Sequence, residues 1–101
     1  METKKIIALM DYLIRSTEIY NKCSEKLAEL SDWKMQVINN SYPIKSVHVY
    51  AGIEDMAKAV NKEVAVRHRD DINYPVQKSF TYKEYLFYEI QGEDEFLKDK
   101  E

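Results

Sequence analysis

The sequence predicts an α+β fold: a long N-terminal helix and a second, shorter helix packed on a small, mainly antiparallel sheet that ends in a β-hairpin. Three observations carry this prediction. Apolar side chains recur at alternating steps of three and four from Ile6 to Leu30, and at helical spacing from Ile53 to Val60. Between Trp33 and Ile90 the other apolar residues largely alternate with polar ones, the period of a half-buried strand. At 101 residues one domain is expected. It comprises a long amphipathic helix over 1–31, a strand–helix–strand–strand–strand region over 32–91 and an acidic tail over 92–101.

The first helix is expected to start at Thr3, whose hydroxyl can cap the first amides, and to run to Glu29 or Leu30. Ile6, Leu9, Leu13, Ser16, Tyr20, Cys23, Leu27 and Leu30 form a heptad seam with one polar interruption at Ser16. Ile7, Met10 and Ile14 widen the apolar stripe, while Asp11, Arg15, Glu18, Lys22, Glu25, Lys26 and Glu29 make a balanced outer face. Asp11–Arg15 and Glu18–Lys22 are spaced for favourable pairs. Such a helix is about 42 Å long, against a radius of gyration of about 13 Å for a domain of this size. It must break, extend past its own domain or pack against a partner. A homodimer is therefore expected, with Ile6, Leu9, Leu13, Tyr20 and Leu27 as the self-association residues and another flank of the helix on the sheet.

Ser31-Asp32 ends the helix. Trp33, Met35 and Val37 suggest a short strand, with helical continuation as the alternative, and Asn39-Asn40-Ser41-Tyr42-Pro43 reads as a turn. Ile44 to Tyr50 is expected to be a strand with Val47 and Val49 on one face and Ser46, His48 and Tyr50 on the other. The second helix, Gly52 to Asn61, buries Ile53, Met56, Ala57 and Val60. Glu54 and Asp55 near its start and Lys58 and Lys62 near its end suit the helix dipole, and Asn61 is a left-handed stop. Val64, Val66 and His68 alternate with Glu63, Ala65, Arg67 and Arg69 as a strand, and residues 70–75 connect. Val76–Tyr82 and Tyr85–Ile90 flank Lys83-Glu84 as a hairpin. A two-residue loop sets Phe80 opposite Phe87 and Tyr82 opposite Tyr85 on one face.

Composition narrows the function classes. The formal charge of −3 argues against duplex-DNA binding, which needs a basic face. No apolar run reaches the length of a membrane span, and no signal peptide is expected, because Asp11 and Arg15 interrupt the N-terminal apolar stretch. With two glycines there is no dinucleotide fingerprint or phosphate loop. The single cysteine, Cys23, excludes an internal disulfide, reads as a small buried apolar residue of the seam, and fits a reducing, cytoplasmic location. The acidic end, Glu93 to Glu101, is expected to fray.

His48-Val49-Tyr50-Ala51-Gly52-Ile53-Glu54, followed by Tyr74-Pro75-Val76-Gln77-Lys78-Ser79-Phe80 and Tyr85-Leu86-Phe87-Tyr88, resembles small uncharacterised proteins of bacterial phages and mobile elements, chiefly those of Firmicutes. Their pattern is a strand, a Gly-Ile-acidic helix start, a Tyr-Pro turn and an aromatic hairpin. Members often carry glycine in the last turn, where this chain has Lys83-Glu84. The resemblance covers about the second half of the chain. It implies a phage or mobile-element accessory protein and assigns no reaction to any residue.

No residue set specifies a chemistry. His48 and His68 are the only histidines, and a zinc site needs more ligands than they and Cys23 supply. The six serines lie in no nucleophile elbow, and Asp70-Asp71 with Asn73 lacks the ligand spacing and glycine of a calcium loop. No catalytic residue, metal site or cofactor is assigned. Six of the eight tyrosines lie in the strand-rich part, where they can fill a pleated surface or form a contact surface. The expected partner-binding residues are Tyr82, Tyr85, Arg67 and Arg69. The function expected is a non-enzymatic protein–protein interaction module acting on an unknown host protein, without duplex DNA or membrane as partners. The alternative is single-stranded nucleic-acid binding, with the aromatic sheet face stacking bases and Arg67 and Arg69 contacting phosphates.

Overall fold

The computed structural model describes residues 2–99. It is an α+β structure that divides into two units, Met1–Trp33 and Lys34–Glu101.

The first unit is α1, Thr3–Leu30, 28 residues without a break. Its N-cap is Glu2, in extended conformation and without a side-chain cap bond. Glu2 rather than Thr3 supplies the first carbonyl, accepting from Ile6 N at 3.2 Å, so Thr3 is already helical and cannot be the cap. At the other end Asp32 has φ 56°, and Trp33 N donates to Ala28 O at 2.7 Å. This is the wrapped C-terminus that a left-handed residue permits. Trp33 itself has φ 64°, so it completes the turn and starts no strand.

The second unit is a five-stranded sheet with helices added. Its strands are β1 (Gln36–Ser41), β2 (Ser46–Ala51), β3 (Ala65–His68), β4 (Val76–Tyr82) and β5 (Tyr85–Gln91), in the order β1-β2-β5-β4-β3. Three pairings are antiparallel and one, β2 with β5, is parallel. Asn39, Asn40 and Ser41, expected in a turn, lie in β1 opposite His48, Val47 and Ser46. Backbone pairing overrides their weak strand propensity, and an edge position tolerates their polar, exposed side chains. The turn comes later, at residues 42–45, with Lys45 at φ 57°.

The last hairpin has the expected two-residue loop. Lys83 and Glu84 have φ 49° and 71°, positive at both central positions as a tight hairpin turn requires. Phe80 pairs with Phe87 and Tyr82 with Tyr85. The Phe80 and Phe87 rings stack at 5.1 Å.

α2 (Ile53–Ala59) packs on β4 and β5. The core is Val49, Ile53, Met56, Ala57, Val76 and Phe80, all buried. Asn61 has φ 59°, and Lys62 N donates to Ala57 O at 2.8 Å, so the expected left-handed stop closes this helix. The acidic end is not frayed over its described residues. α3 spans Glu93–Asp99, with Glu93, Asp94 and Glu95 in its first turn and Lys98 in its last, the order the helix dipole favours. Phe96 anchors it, its ring 5.7 Å from Lys78 Nζ. Lys100 and Glu101 lie outside the described residues.

Candidate interaction surfaces

Along α1 every side chain from Thr3 to Ile19 is exposed. Ile6, Ile7, Leu9, Met10, Tyr12, Leu13, Ile14 and Ile19 are among them, between 38% and 69% exposed. The heptad seam is thus unequal along its length. Ile6, Leu9 and Leu13 present an open apolar stripe, whereas Tyr20 and Leu27 are half-buried. The Tyr20 hydroxyl is shielded without a hydrogen-bond partner, and burial raises its pKa. Cys23, expected to be buried in the seam, is exposed. Heptad spacing shows which residues share a stripe but not where along the stripe shielding occurs.

The sheet separates the four residues expected to bind a partner. Tyr82 and Tyr85 share the Phe80–Phe87 face, where the Tyr82 ring meets Phe87 edge-on at 6.5 Å and Lys83 Nζ lies 5.3 Å from the Tyr82 ring. Arg67 pairs with Gln77, which alternation places on the opposite face. Gln77 is also five residues from Tyr82, about 17 Å along the strand. Arg69 is held beyond β3, donating from its backbone to Pro75 O at 2.6 Å and from its guanidinium to Tyr74 O at 3.1 Å. The arrangement expected for base stacking beside phosphate contacts is therefore not assembled from these four residues. What Tyr82 and Tyr85 do join is the other hairpin tip. Lys45 bonds Glu84 at 3.0 Å and Leu86 N donates to Lys45 O at 2.9 Å. This brings the β1–β2 turn, with Tyr42 and Ile44 exposed, to the same end of the sheet.

Beneath α2 and α3 lies a polar cluster missing from the sequence-based assignments. Lys78, Glu89 and Gln91 are buried, and Lys78 and Glu89 are direct cross-strand partners. Lys78 Nζ contacts Glu54 Oε1 at 2.9 Å. Glu89 Oε1 accepts from Ile53 N at 3.3 Å, and its other oxygen accepts from Gln91 Nε2. Glu89 thus secures the first amide of α2, and Lys78 ties that helix and α3 to β4. Alternation did carry the signal: Lys78 shares parity with Phe80, and Glu89 with Phe87.

Because β2 and β5 are parallel, their C-terminal ends reach the same sheet edge, and each passes through a glycine into a helix. An open groove of about 730 Å³ lies there, lined by Tyr50, Asp55, Tyr74, Glu89, Glu95 and Lys98 among others. Among the described residues its polar lining is carboxylate, amide, amine, imidazole and phenol groups, with no serine, threonine or cysteine.

His48 stacks on Tyr88 at 4.6 Å. Burial, and secondarily the Arg69 charge, holds its imidazole below its ordinary pKa. His68 is exposed on the edge strand β3. Among the described residues no group of three histidine, cysteine or acidic side chains is placed to hold a metal ion. No helix among them is long and apolar enough to cross a membrane. Comparison of the chain with protein-family models, curated proteins and solved structures finds no match.

Proposed function

We propose that this protein is a non-enzymatic protein–protein interaction module that associates with itself, at least as a homodimer, through the exposed N-terminal half of α1. In the setting implied by its resemblance to phage and mobile-element proteins, it acts in the cytoplasm on a host protein. The tyrosine-bearing end of the sheet is the surface presented to that partner.

One observation carries the reading. An unbroken helix exposes eight large apolar side chains within residues 6–19. Full burial of such a side chain is worth about 1.5–3 kcal/mol, so each half-exposed one leaves about 1 kcal/mol of transfer free energy unused. Scattered apolar residues need no explanation, but a contiguous patch of this kind marks an interaction site. A second copy supplies a matching stripe by symmetry.

Light scattering on the intact chain tests the self-association. A mass above 12.0 kDa is expected at micromolar concentration, and Leu13→Glu should dissociate the assembly. A monomeric mass at high micromolar concentration overturns the reading. The host interaction is tested by co-purification from bacterial cells beside the Tyr42→Ala/Tyr85→Ala double variant. A partner held by the parent and lost by the variant is expected; recovery of the same proteins by both removes this surface from the proposal.

A further inference from the structure

We infer that α1 assembles as a bundle of four copies, not as a two-stranded coil; this rests on the self-association proposed above and specifies its stoichiometry.

The width of the apolar arc is the first ground. At 100° per residue, the arc from Tyr12 through Leu9, Leu13, Ile6, Met10 and Ile14 to Ile7 covers roughly 220° of the helix, interrupted by Thr3, Lys5, Ser16 and Thr17. Asp11, Arg15, Glu18 and Lys4 fill most of the remainder. A two-stranded seam shields only the narrow stripe of the a and d positions, here Ile6, Leu9, Leu13 and Ser16. It would leave Ile7, Tyr12 and Ile14 in water. In a four-helix bundle each helix faces two neighbours, which matches a stripe of this breadth.

The flanking positions are the second ground. In two-stranded coils the e and g positions are typically charged and pair across the interface. With Ile6 at a, those positions from Lys5 to Ile19 are Lys5, Met10, Tyr12, Thr17 and Ile19. Only Lys5, at the helix start, carries charge, and it is paired with Glu2 at 3.4 Å. Thr17 spends its hydroxyl within the helix, on Leu13 O at 2.9 Å. These flanks therefore present apolar or internally satisfied groups where a dimer would place ion pairs. The exposed area is large enough for stable self-association: eight side chains at roughly half exposure amount to on the order of 900 Å², against the roughly 800 Å² per partner of a standard interface.

Sedimentation of the full chain tests this, with and without phosphatidylcholine–phosphatidylglycerol vesicles. The expected result is a species of about 48 kDa, four times the 12.0 kDa chain, that does not float with vesicles. Met10→Glu/Tyr12→Lys, which charges both flanks and leaves the a and d stripe intact, should halve that mass. Asp11→Asn, on the polar arc, should leave it unchanged and controls for general disturbance of the helix. A dimeric or trimeric parent, or a double variant still at about 48 kDa, overturns the four-copy bundle while the self-association reading stands. A monomer overturns both, and a monomer that floats with vesicles assigns the stripe to a membrane surface instead.

Discussion

Replacing Gly52 with alanine is expected to destabilise the protein by about 3 kcal/mol, summing left-handed strain and overpacking. Gly52 has φ 90° and ψ 20° and joins β2 to α2. For an L-residue the left-handed region costs about 1–2 kcal/mol. An added Cβ would also stand 2.5 Å from Lys34 O and 2.8 Å from Met35 Cα. Those atoms are backbone leading into β1, so relief requires moving that segment, a cost of about 1–3 kcal/mol by comparison with overpacked cores. Gly92, at the equivalent junction of β5 with α3, is the internal control. Its added Cβ meets only Asn73 O at 3.4 Å, and alanine there should cost about 1 kcal/mol or less. Urea unfolding followed by far-UV circular dichroism measures both. With a slope near 1.5 kcal/mol per molar, Gly52→Ala should lower the midpoint by about 2 M and Gly92→Ala by well under 1 M. Midpoints within about 0.3 M of each other would refute the close approach at Gly52 as the reason for glycine there.

Two further perturbations address the buried polar residues. Lys78→Ala should cost about 3–5 kcal/mol in urea unfolding, because Glu89 then loses its buried cross-strand cation; Lys78→Met/Glu89→Gln should recover most of that loss, since a neutral pair carries no desolvation penalty. If the double variant is as weak as the single, the cluster stabilises through something other than charge balance. His48 makes stability depend on pH with a definite sign. Its folded-state pKa lies below the unfolded value of 6.5, so below that pH the unfolded chain binds more protons. Stability should fall on acidification through that value and level off below the folded pKa. Comparing urea midpoints between about pH 8 and about pH 5 should show this slope reduced in His48→Gln; an unchanged slope would acquit His48.

The sequence was most legible where periodicity ran long. α1, with its C-terminal limit near Leu30, follows from helical spacing, as does the buried stripe of Ile53, Met56 and Ala57; Val60, expected to complete it, is the half-buried C-cap residue, because α2 ends at Ala59. The hairpin register follows from the two-residue gap at Lys83-Glu84. Legibility failed where a local preference met a long-range contact. Asn39-Asn40-Ser41 has turn chemistry yet pairs with β2. Glu93 to Asp99 has the composition of a solvated tail, yet one aromatic, Phe96, holds it against Lys78. The residues expected to bind a partner show the same limit, since strand alternation assigns a face within one strand but does not relate the faces of two strands until their register is known.

Amphipathic period, turn length and stop residues are properties of neighbouring positions, so the succession of elements from α1 to β5 and the apolar stripe of α1 could be read from the chain alone, whereas α3 could not. The parallel pairing of β2 with β5, the burial of Lys78 and Glu89, and the separation of Tyr82 from Arg67 depend on which distant segments meet. Those outcomes are decided by packing and backbone pairing summed over the whole sheet, and no local window of sequence contains that sum.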